Sequence, residues 1–122
     1  MIKANHKIVA VVSDLMFTVK IQDAAKRAGL EVTFVKSQED AMAQARSLPA
    51  VIILDLNTTA VDALELIGKL KADAETSGVN LLGYVSHVQA DLKQAAQAKG
   101  CNQVIARSAF SQNLPAMLRR YA

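Results

Sequence analysis

At 122 residues and 52% hydrophobic content, the chain is long enough for one domain with one apolar core, and it needs no disulfide or metal to hold that core. The single cysteine, Cys101, excludes an internal disulfide and points to a reducing compartment, while 14 Lys and Arg against 11 Asp and Glu, a formal charge of +3, are scattered rather than blocked and argue against a nucleic-acid footprint. No Ser/Gly/Pro-rich linker is apparent, the start "MIKANHK" lacks a signal-peptide core, and no apolar run approaches a membrane span, so a soluble, cytoplasmic, single domain over residues 1–122 is expected, without an output domain.

Taken in order, the chain alternates between two periodicities. Lys7 to Val12 ("KIVAVV") is a short apolar run of the kind that forms an interior strand, ending at Ser13 and Asp14. From Leu15 to Ala28 the apolar positions Phe17, Ile21, Ala24, Ala25 and Ala28 recur at helical spacing, and Gly29 closes the helix as a C-cap. Glu31 to Lys36 ("EVTFVK") alternates with period two, as a half-exposed strand near a sheet edge does. Ser37 then opens a helix with Glu39 and Asp40 in its first turn and Ala41, Met42 and Ala45 inward, running to Leu48 before Pro49.

"VIILDLN", Val51 to Asn57, is the stretch on which the remainder is organised: four apolar residues run without interruption into an acid, as a strand buried on both faces does when it surfaces at its C-terminal end. Leu64, Ile67 and Leu70 mark a third helix. Asn80 to Ser86 ("NLLGYVS") reads as a fourth strand, Asp91 to Lys99 as a fourth helix closed by Gly100, Asn102 to Ala106 ("NQVIA") as a last strand, and Ser108 to Tyr121 as a last helix with Phe110, Leu114, Met117, Leu118 and Tyr121 inward.

Five βα units with connections of this length require right-handed parallel crossovers, so the expected fold class is α/β, a five-stranded parallel doubly wound sheet of the flavodoxin-like type with strand order 2-1-3-4-5. Ligands of such sheets bind outside the carboxyl ends of the strands, where the order reverses, here between the first and third strands. Those two strands end in Asp14 and Asp55, flanked by Ser86 after the fourth strand and Arg107 after the fifth.

"VVSD" (Val11 to Asp14), "VIILDLN", "YVS" (Tyr84 to Ser86) and "IAR" (Ile105 to Arg107), in this order and at these strand ends, resemble the receiver domain of two-component response regulators, the CheY-like superfamily. The resemblance covers essentially the whole chain. It implies a non-enzymatic signalling domain in which Asp55 is the phosphoacceptor, Asp14, Asp55 and the backbone carbonyl of Asn57 hold Mg²⁺, the Ser86 hydroxyl contacts the phosphoryl group, and Arg107 pairs with Asp55 or its phosphate. The implied partners are a histidine kinase or phosphotransfer protein and a downstream protein on the face of the fourth helix, last strand and last helix. A homodimer is allowed, and neither nucleic acid nor a membrane is implied. The physical reason for such a set is charge, because a carboxylate that attacks an anionic phosphoryl donor needs an oxygen-seeking cation beside it.

Three departures from the family's pattern bear on this site. Ser13 stands where an acid is usual, which implies a weakened Mg²⁺ site; Arg107 replaces a lysine and could hold Asp55 in a two-pronged salt bridge; and Ser108, His87 and Val104 replace a proline, a small residue and the aromatic switch residue. These departures favour the alternative of a phosphorylation-independent pseudo-receiver, a protein-interaction module on the same fold. A third class, an enzyme or nucleotide binder, lacks its signals: no glycine follows the first strand in "SDLMFT", Ser86 and adjacent His87 point to opposite faces, and His6, His87 and Cys101 have no metal-site spacing. Taken singly, Asp14 and Asp55 also suit turn or N-cap duty, and Arg107 a helix-flanking surface charge.

Overall fold

The computed structural model describes residues 6–86 and 89–122. Ten elements alternate along the chain: β1 (Lys7–Val11), α1 (Leu15–Arg27), β2 (Glu31–Phe34), α2 (Gln38–Ala45), β3 (Val51–Asp55), α3 (Ala63–Ala72), β4 (Leu81–Val85), α4 (Ala90–Lys99), β5 (Gln103–Ala106) and α5 (Arg107–Arg119). The strands form one parallel sheet in the expected doubly wound order β2-β1-β3-β4-β5. Among the described residues no helix is long and apolar enough to cross a membrane.

Crossover handedness assigns the helices to faces. The step from β1 to β2 runs one way across the sheet and the later steps run the other, so right-handed connections put α1 on one face and α2, α3 and α4 on the opposite one. The core divides accordingly. Ile8, Ala10, Ile53, Leu82 and Tyr84 turn toward α1 and α5, where Phe17, Ile21, Phe110, Leu114 and Leu118 cover them. Val9, Val11, Ile52, Leu54 and Leu81 turn the other way, against Ala41, Leu66, Ile67, Leu70 and Ala96. This is the period-two alternation of strands buried on both sides.

Sequence and structure differ in places. Leu64 is only partly buried at the edge of the core and Leu66 is fully buried, because the apolar stripe of α3 is Ala63, Leu66, Ile67 and Leu70. Ala28 is itself the C-cap of α1, with Gly29 one position beyond at φ +76°; Gly100 does cap α4, at φ +110°. The α2 helix stops at Ala45, three residues short of Leu48, which takes a positive φ of 57°. Arg107, expected between strand and helix, is the first residue of α5.

Candidate functional site

At the carboxyl rim of the sheet, three residues separate the end of β1 from the start of α1. The intervening Asp14 is the N-cap of α1: its Oδ1 accepts from the amides of Met16 at 2.8 Å and Phe17 at 3.4 Å, satisfying donors that a helix start otherwise leaves open. Its other oxygen, Oδ2, accepts from Arg107 Nη2 at 2.7 Å. The pair is partly shielded, with side-chain exposures of 39% for Arg107 and 32% for Asp14. The guanidinium hydrogen bond, ahead of every other influence, holds the Asp14 carboxyl below the usual carboxylate range.

Arg107 is fixed from a second direction. Its guanidinium carbon lies 4.5 Å from the centroid of the Phe17 ring, a cation–π contact. Phe17 stacks on Tyr84 with centroids 5.0 Å apart, and Tyr84 on Phe110 at 4.6 Å. Phe17 and Phe110 are also only 5.9 Å apart, so the three rings form one cluster joining β4, α5 and α1, with Phe17 beneath the arginine. Within it the Tyr84 hydroxyl is buried and has no hydrogen-bond partner among the described residues.

Asp55 closes β3, paired in register with Tyr84, and only 6% of its surface is exposed. One carboxylate oxygen, Oδ1, accepts from the Asn57 amide at 2.9 Å. Burial raises the Asp55 pKa, and the amide and the Arg107 charge only partly offset it. The two acids of the rim are thus driven apart, Asp14 toward the carboxylate and Asp55 toward the neutral acid.

Asn57 carries the rim onward. Its Oδ1 accepts from the Ser86 amide at 3.1 Å, and its Nδ2 donates to Gln89 Oε1. Ser13 and Thr58 share a hydroxyl–hydroxyl hydrogen bond of 3.3 Å between the ends of β1 and β3. Beside this network Met16, Phe17, Ser86, Arg107, Ser108 and Ser111 line a groove of about 320 Å³ on the α1/α5 side.

Known structures with this architecture are consistent in kind. The phosphorylated cyanobacterial phytochrome response regulator RcpA is 24% identical, with 96% of this chain and 91% of that one covered at a TM-score of 0.79. The receiver domain of the sensor histidine kinase PA1611 of Pseudomonas aeruginosa, with a magnesium ion coordinated in its active-site cleft, is 18% identical over 97% of this chain and 98% of its own, at 0.80. The chemotaxis response regulator CheY4 of Vibrio cholerae is 20% identical over 98% and 100%, at 0.80. The chain has the receiver-domain fold. No protein-family model and no curated protein matches it in sequence.

On this receiver fold the five residues singled out in the sequence, Asp14, Asp55, Asn57, Ser86 and Arg107, form one connected rim. Arg107, however, does not clamp Asp55. Its ion pair is with Asp14, because the guanidinium follows the Phe17 face at the start of α1, away from the β3 end. His87, which stands where the family has a small residue, lies outside the described residues.

The same rim can be tested as a magnesium site. Mg²⁺ takes a near-octahedral shell of oxygens, anchored by one or two free carboxylates. Here both Asp14 oxygens are engaged, one by helix amides and one by a cation, the Ser13 hydroxyl is bonded to Thr58, and Asp55 is buried with one oxygen accepting from the Asn57 amide. The donor set does not fit the ion expected from the sequence.

Sequence reasoning missed Phe17, Tyr84, Thr58 and Gln89 as members of the rim. Phe17 carried a signal: an aromatic three residues after a helix-capping acid, on the inward face, necessarily lies under that acid. The roles of Thr58 and Gln89 rest on side-chain pairings across separate connections, which leave no local pattern.

Proposed function

We propose that this chain is a receiver-type module of two-component signalling that acts by binding protein partners and carries no phosphoryl group on Asp55. The observation that supports this reading is the commitment of Arg107 to Asp14 and Phe17. Among the described residues Asp55 has no cation in contact, so neither the approach of an anionic donor nor a resulting aspartyl phosphate is neutralised there. Burial also leaves Asp55 little exposed to an approaching donor, with 6% of its surface accessible. Recognition then falls to surfaces, and the α4/β5/α5 face is the one we assign to a downstream protein, with a hollow of about 220 Å³ among Val85, Ser86, Gln89, Ala90, Lys93 and Ala106 at its rim end. An upstream histidine kinase or phosphotransfer protein would act as a binding partner rather than a donor.

One observation favours a second reading, in which Asp55 is a phosphoacceptor: it stands at the end of the central strand, linked through Asn57 to the Ser86 hydroxyl-bearing connection. Incubation with acetyl phosphate or phosphoramidate and Mg²⁺, followed by intact-mass measurement, separates the two. We expect no adduct under conditions that label an ordinary receiver domain. A phosphoryl adduct that disappears in the Asp55→Asn variant overturns the first reading in favour of the second.

A further inference from the structure

We infer that the guanidinium of Arg107 is the resident cation of this rim and that it excludes a divalent one: Arg107 and a metal ion compete for the same Asp14 carboxylate, and the arginine holds it. The inference rests on taking the rim as the functional site, and it does not depend on whether Asp55 is phosphorylated.

Three features of the arginine make it a strong competitor. Its charge is permanent at any physiological pH, unlike that of a titratable group. It lies at hydrogen-bond distance, 2.7 Å, from the Asp14 oxygen that the helix amides leave free. It is also held by the ring beneath it, so it does not swing away at little cost as an exposed lysine would. An incoming dication would have to break the ion pair and then stand beside the displaced guanidinium, where like charges repel. The groups facing the position are Asp14, Asp55, Arg107 and the Tyr84 hydroxyl, with Ser13 and Thr58 tied to one another. Asp55 supplies the one further carboxylate in this set.

Removal of the guanidinium should therefore create a metal site rather than destroy one. In Arg107→Met the apolar stem still covers Phe17, while Asp14 Oδ2 is released beside Asp55, two carboxylates at the mouth of the crevice. Mg²⁺ and Mn²⁺ are the probes, read through amide chemical shifts of residues 13–17 and 55–58, paramagnetic broadening by Mn²⁺, and the thermal midpoint. For the wild-type chain we expect no saturable change at millimolar Mg²⁺. For Arg107→Met we expect saturable binding at least about tenfold tighter than wild type, a coupling of the usual size between two ligands of one group. That gain should be lost again in Arg107→Met/Asp14→Asn.

Saturable millimolar binding to the wild-type rim overturns the inference without any variant, and so does a folded Arg107→Met or Arg107→Gln protein that binds no better than wild type. The outcomes are separable from those of the phosphodonor experiment. Metal binding without an adduct removes this inference and leaves the proposed function, whereas an adduct formed in the presence of a chelator does the reverse.

Discussion

Asn57 and Ser86 are joined across the crevice: the Asn57 side-chain oxygen accepts from the Ser86 backbone amide at 3.1 Å, fastening the connection after β3 to the connection after β4. Because the Asn57 amide also donates to Asp55, one residue reports the state of the acid to the neighbouring connection. Asn57→Ala leaves the Ser86 amide without its partner. The expected outcome is a loss of about 1 kcal/mol of stability, the usual worth of such a bond, together with faster hydrogen exchange at Ser86. Denaturant midpoints and amide exchange check the two effects, and unchanged exchange at Ser86 would contradict the link.

The two rim acids give pH dependences of opposite sign. Asp14 has a folded pKa below its ordinary 3.8, so its contribution is present above that value and is lost as the pH falls through the lowered one. Asp55 has a folded pKa above 3.8, so it opposes folding increasingly as the pH rises through the raised value, and not at all well below 3.8. Asp55→Asn should therefore stabilise the protein at neutral pH, by about 1 kcal/mol as is common for substitutions at functional sites, with the gain vanishing in acid. Asp14→Asn should destabilise it at neutral pH, with the loss shrinking in acid. Urea midpoints from about pH 3 to about pH 7 test both signs.

Tyr84 tests the ring cluster. Its hydroxyl is buried without a partner among the described residues, and burial raises its pKa far above the ordinary 10.0. Tyr84→Phe keeps the stacking and removes only the hydroxyl, so stability should stay within about 0.5 kcal/mol of wild type or rise slightly. A loss of about 2 kcal/mol in chemical denaturation would show that the hydroxyl is bonded after all.

Two backbone substitutions should move stability in opposite directions. Pro115 lies inside α5 on its exposed side, where its ring removes an amide that would donate back along the helix; Pro115→Ala should stabilise by about 1–2 kcal/mol. Gly100 caps α4 at φ +110°, and an added Cβ would meet Lys71 Cγ at 2.9 Å. Gly100→Ala should then destabilise by about 1–2 kcal/mol, through backbone strain and by pressing on Lys71, whose Nζ donates to Ser77 O, Val79 O and Asn102 Oδ1. Thermal midpoints of the two variants should bracket the wild type.

The strands were legible because each is a short apolar run bounded by polar residues, and the order 2-1-3-4-5, expected as the five-stranded doubly wound arrangement, is the one observed. Which acids and bases meet was legible too, since strand ends of a parallel sheet share one rim. What Arg107 does there was not. Its partner is chosen by the position of Phe17, a packing relation between the first and last helices, and the residues concerned are 93 positions apart for the ion pair. Leu66 was missed beside Leu64 because both are apolar, and which of the two faces the sheet is set by the Ala63, Leu66, Ile67 and Leu70 stripe taken together.

The bond between Asp14 and Arg107 also constrains how the molecule comes into being. The acid that starts the first helix finds its cation only at the first residue of the fifth, and the same late helix brings Phe110, Leu114 and Leu118 to roof Ile8, Ile53 and Leu82. A nascent polypeptide emerging from the ribosome can cover that side of its sheet only in part, with α1, until α5 has been synthesised, so closure of this half of the core waits on the fifth helix.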